Sequence, residues 1–60
     1  HPMTAEHFIQ WVVVETDREA LIHWFHPDEA PEAVFALAEG QTAKAVYAYC
    51  NLHGLWKQDL

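Results

Sequence analysis

Cys50 and His53 form a C-x-x-H pair across Asn51-Leu52, with Gly54 directly after. Thiolate and imidazole are both good ligands for zinc and for iron. In an extended strand, side chains three positions apart face opposite sides, whereas in a turn they can converge on one ion. Taken alone, the pair fits a buried thiol beside a surface histidine as readily as a metal site. His1 and His7 form a second pair, separated by Pro2-Met3-Thr4-Ala5-Glu6. That spacing suits no helical face. A loop leading into a strand could still bring both rings to one point, and a tag remnant ahead of Met3 would explain His1-Pro2 equally well.

The other candidates read as bystanders. His23 and His26 flank Trp24-Phe25 with no further ligand evident, so they read as solvated or structural. Glu29, Glu32 and Glu39 look like a solvated acidic face and not a catalytic carboxylate pair. Trp11, Trp24, Tyr47 and Tyr49 read as core, because stacking on nucleic-acid bases would need basic neighbours.

Strand patterns dominate the segments that must position these residues. His7 to Glu15 (HFIQWVVVE) is aromatic and β-branched, as a half-buried strand is. Simple alternation puts Ile9, Trp11 and Val13 on one face, with Phe8, Gln10, Val12 and Val14 on the other. Thr16 to Glu19 breaks the run, and Ala20 to Phe25 resumes it as the second arm of a hairpin. Pro27 and Pro31 mark a connector. Glu32 to Glu39 (EAVFALAE) is expected as a strand, with a short helix as the alternative. Thr42 to Cys50 alternates again, with Ala45, Tyr47 and Tyr49 opposite Val46, Ala48 and Cys50. Asn51 to Gly54 turns, and Leu55 to Leu60 is expected to trail out.

Composition narrows the function. Three basic residues against nine acidic ones, for a net charge of −6, leave no footprint for a phosphate backbone or an anionic membrane. No apolar run reaches the roughly eighteen residues of a membrane span, and no signal peptide is evident. The lone Cys50 forbids an internal disulfide and suits a reducing, cytoplasmic compartment. Sixty residues bury a small core, so a metal, a partner chain or a further segment is expected to supplement it.

Together the stretches form a pattern: His1-Pro2-Met3, His7 opening a Trp-containing strand, Asp28-Glu29-Ala30-Pro31-Glu32-Ala33, and Tyr49-Cys50-Asn51-Leu52-His53-Gly54-Leu55-Trp56-Lys57. This resembles the iron domain of superoxide reductases, the family of desulfoferrodoxin and neelaredoxin, over essentially the whole chain. The Y-C-N-L-H-G-x-W-K stretch is the most specific part.

The resemblance implies an all-β fold, an immunoglobulin-like antiparallel β-sandwich, here incomplete with about four strands, so that residues 1–60 are the C-terminal portion of such a domain. It implies one mononuclear non-haem iron, Fe2+/Fe3+, in a square pyramid of histidines with an axial cysteine. By position, His1, His7 and His53 are the equatorial ligands, His53 through Nδ1, and Cys50 is the axial thiolate and catalytic residue. Superoxide would take the open sixth position and be reduced by one electron to hydrogen peroxide, with a donor such as rubredoxin restoring Fe(II). The family's fourth histidine, preceded by a Glu-Lys dipeptide, lies upstream of its H-P-M stretch and has no counterpart in these residues. A missing N-terminal segment or a homo-oligomer would complete the site, and Lys57, near the ligand turn, is a candidate to replace part of that lysine's role. Two other readings compete. His1, His7, Cys50 and His53 could close a tetrahedral structural zinc site, or the chain could be a metal-free pairing surface with an exposed sheet edge.

Overall fold

In the computed structural model, which describes residues 1–60, β-branched and aromatic residues dominate Ile9–Thr16 (β1), while the equally long Ala43–Cys50 (β3) mixes Val46, Tyr47 and Tyr49 with alanines. Ala20–Trp24 (β2) and Gly54–Asp59 (β4) flank them. The strands make one antiparallel sheet in the order β2-β1-β3-β4. Two hairpins therefore lie side by side, joined through the β1–β3 ladder. The all-β expectation of about four strands holds, all of them in this one sheet.

Two elements differ from the sequence reading. Glu32 to Glu39 is neither strand nor helix. Its prolyl neighbour Pro31, with Ala33 and Phe35, lies against the sheet's inner face and lines a cavity of about 250 Å³ with Val12, Val14 and Val46. Covering that face, and not pairing with an edge, is what these apolar residues do, while Val34 between them is 97% exposed. In contrast, Leu55 to Asp59 does not trail out. It pairs with β3 from Cys50↔Gly54 to Ala45↔Asp59.

A third difference concerns β1. Ile9 stands opposite Cys50 and Trp11 opposite Tyr49, so β1 carries one extra residue at this point, a bulge at Gln10. The bulge breaks strict alternation and moves Ile9 to the face of Val12 and Val14, where all three line the same cavity. The opposite face carries Trp11 stacked on Tyr49, with ring centroids 5.8 Å apart.

Few residues are buried: Val14, Phe25, Ala45, Cys50 and Thr16, of which Cys50 is the largest fully buried side chain. At about 1.5–3 kcal/mol for each large apolar side chain buried, this core is thin. Local polar networks compensate at the loops. Thr16 Oγ1 donates to the Glu19 carbonyl at 2.9 Å and accepts from Glu19 N–H at 2.9 Å, which closes the β1–β2 turn.

Candidate metal centre

The β3–β4 turn and the segment entering β1 meet at one end of the sheet. Cys50 ends β3 and is 2% exposed. Asn51, Leu52 and His53 form the loop, and Gly54 opens β4 at φ 83°, a left-handed conformation that a side chain would strain. This tight return is what lets residues three apart converge, unlike their arrangement along a strand.

His7 is set by its own loop. Thr4 N–H donates to the His7 carbonyl at 3.0 Å and His7 N–H donates back to the Thr4 carbonyl at 3.1 Å. Asn51 holds the flanks of His7, its Oδ1 accepting from Phe8 N–H at 2.9 Å and its Nδ2 donating to the Glu6 carbonyl at 3.0 Å. The preceding residues are anchored elsewhere: Asp28 N–H donates to the Met3 carbonyl at 2.6 Å.

Four side chains converge there. One donor atom from each of His1, His7, Cys50 and His53 lies within 4.8 Å of the others. Opposed donors on one ion at bond lengths of about 2.0–2.3 Å stand roughly 4.0–4.6 Å apart, so a small contraction would seat all of them. Ring centroids are 4.6 Å apart for His7 and His53 and 4.9 Å for His1 and His7, with the planes nearly perpendicular.

The donor chemistry fits a metal. His7 Nε2 is buried with no hydrogen-bond partner. Such a group is costly unless something takes its lone pair. His1 Nδ1 lies 2.6 Å from the Pro2 carbonyl. A carbonyl only accepts, so Nδ1 carries the proton and the Nε2 lone pair is free for a ligand bond. Beside the group is a cavity of about 150 Å³ lined by His1, Ile9, Ala48, Cys50, His53 and Trp56.

The desulfoferrodoxin family model matches residues 1–59. The chain belongs to the desulfoferrodoxin family. It is 45% identical over its full length to a desulfoferrodoxin of Clostridium acetobutylicum, covering 46% of that protein. It is 32% identical to a superoxide reductase of Pyrococcus horikoshii, covering 63% of it. Its structure aligns with the crystal structure of the superoxide reductase from Treponema pallidum at a TM-score of 0.93 and 41% identity, over 98% of this chain and 48% of that one. The chain thus spans about half the length of the desulfoferrodoxins it matches.

Within this desulfoferrodoxin-family chain, His23 and His26 stay away from the cluster, as expected. Their surroundings are more organised than bystanders require. Glu29 Oε2 lies 3.0 Å from His23 Nε2, and Glu29 Oε1 accepts from His26 N–H at 2.9 Å. These contacts, led by the His26 N–H, hold the Glu29 carboxyl below its ordinary pKa. Glu29 therefore belongs to the turn that catches Met3 and is more than a solvated acid. Lys57 does not line the cavity beside the cluster. Its ammonium pairs with Asp59 at 3.2 Å and lies 5.6 Å from the Tyr47 ring centroid, on the face opposite Trp56 and Cys50.

Proposed function

We propose that the chain forms a portion of a mononuclear iron domain that reduces superoxide to hydrogen peroxide. The carrying observation is the convergence of His1, His7, Cys50 and His53 donor atoms within 4.8 Å, with His7 Nε2 buried and unpartnered. Membership of a family that includes superoxide reductases supports the choice of reaction. Iron held there as Fe(II) would supply the one electron that, with two protons, turns superoxide into hydrogen peroxide.

The chain's own residues have distinct parts in this reading. Cys50 would bind the metal as a buried thiolate and would be the residue whose charge most affects the metal's potential. Imidazole ligands from His1, His7 and His53 would add no negative charge, so a metal held there would stay cationic and would attract an anionic substrate against the chain's net −6. Ile9, Ala48 and Trp56 give the adjoining cavity apolar walls, where charge interactions are stronger than in water. A reducing, cytoplasmic setting and an external one-electron donor such as rubredoxin complete the proposal. The free Cys50 thiol supports the first, and no helix of the chain is long and apolar enough to cross a membrane.

Replacing Cys50 tests it. In the full-length protein carrying this sequence, Cys50→Ser should abolish superoxide-dependent peroxide formation and bleach the thiolate-to-iron charge-transfer band of the oxidised form. Retained turnover would refute the role given to Cys50. Zinc in place of iron in the purified protein, with no peroxide formed, would instead favour a closed structural site.

A further inference from the structure

The Asn51 side chain lies between the two segments that carry the candidate ligands. Its backbone N–H donates to the Phe8 carbonyl at 3.2 Å, and its side-chain Oδ1 accepts from Phe8 N–H at 2.9 Å. That reciprocal exchange is what a residue in an antiparallel ladder makes with its partner. Here the side-chain amide supplies the carbonyl. Its Nδ2 then donates to the Glu6 carbonyl at 3.0 Å, two residues further out. The amide thus acts as an additional peptide unit, extending the β1–β3 ladder past the end of β3 and bracketing His7 on both sides.

The bracket matters because of what His7 lacks. Its main chain is tied only to Thr4, within the same short loop, and its ring Nε2 has no hydrogen-bond partner. Asn51 alone connects the Glu6–Phe8 backbone by side-chain hydrogen bonds to the loop that holds Cys50 and His53. The Cys50 sulfur lies 4.0 Å from the same Oδ1 that accepts from Phe8. One amide therefore bonds the backbone on either side of one candidate ligand and lies beside the sulfur of another.

We propose that Asn51 is a positioning residue that sets His7 against Cys50 and His53 before the metal arrives. The proposal rests on the four-residue site described above. Of the common side chains, only an amide of this length offers both functions here. Asp would keep the acceptor for Phe8 but turn a carboxylate oxygen towards the Glu6 carbonyl, and Ala would remove both bonds. Gln would overshoot by one methylene.

The test uses Asn51→Ala and Asn51→Asp in the full-length protein, with Co(II) as the probe. Wild-type affinity, the thiolate-to-cobalt charge-transfer band and the apo thermal midpoint are measured together with amide hydrogen exchange at Phe8. Both variants should bind Co(II) at least about tenfold more weakly, as loss of a supporting contact to a ligand does. The charge-transfer band should shift, and the apo midpoint should stay within a few degrees of wild type. Phe8 N–H should lose protection in Asn51→Ala and retain part of it in Asn51→Asp. Unchanged affinity and an unshifted band in both variants would overturn the proposal. So would collapse of the apo fold in both, which would make Asn51 a residue of the fold and not of the site. A wild type that binds no Co(II) would instead sink the four-residue site itself.

Discussion

Ile9 stands directly opposite Cys50 in the β1–β3 ladder, although the residue opposite Tyr49 is Trp11 and not Gln10. The extra residue turns Ile9 onto the Cys50 face, where it walls the cavity beside the ligand group. It also fixes how far the His7 loop reaches past the end of β3. Bulges beside functional sites commonly re-aim side chains in this way.

Deleting Gln10 should therefore separate the site from the sheet. The variant is expected to keep its β-rich circular dichroism while Co(II) affinity falls by about tenfold or more, since the His7 loop is drawn out of register. Wild-type affinity in a folded deletion variant would show that the bulge has no part in placing the ligands.

Metal removal should cost stability. A ligand at a hundred times its dissociation constant stabilises the folded state by about 2.7 kcal/mol. At the roughly 4–8 °C per kcal/mol of a domain of about 60–100 residues, a chelator should lower the thermal midpoint by about 10 °C or more. An unchanged midpoint on chelation would support the metal-free pairing surface.

The Glu29 turn predicts an acid limit. Its carboxyl pKa is lowered from the ordinary 4.5, chiefly by the His26 N–H and next by His23. A depressed carboxylate contributes stability that is present above the unfolded value and is lost as pH falls through the folded one. The window thus opens near 4.5 and extends below it. Over that range the apo thermal midpoint should fall more steeply for wild type than for Glu29→Gln. Parallel curves would mean that the turn does not depend on this charge. Because Glu29 is solvent-exposed, the effect should shrink at high salt.

Much of this arrangement is legible in the residues. The β-branched run marks β1, the alternation of Tyr47 and Tyr49 against Ala48 and Cys50 marks β3 and gives its faces, and the C-x-x-H turn with Gly54 marks one end of the site. What stayed hidden depends on partners distant in sequence. β4 is short and polar at its end, and owes its strand to the pairing of Leu55 with Tyr49 and Lys57 with Tyr47. Nothing local marks Gln10 as a bulge, since no glycine stands there. Phe35 looks equally like strand or helix until the inner face of the sheet is available to it. Asn51 reads as a turn residue, and its partners Glu6 and Phe8 are 45 and 43 positions away. An Asn beside a ligand-type Cys, with a second ligand pair near the start of the chain, is the one signal that could have suggested its role.

His1, His7, Cys50 and His53 are proposed to hold one iron ion. Iron K-edge X-ray absorption on the iron-loaded full-length protein, wild type beside Cys50→Ser, tests it most directly. Wild type should show a sulfur scatterer together with imidazole nitrogens around iron, and Cys50→Ser should lose that sulfur contribution. An identical first shell in the two proteins, or one made only of nitrogen and oxygen in wild type, would contradict it.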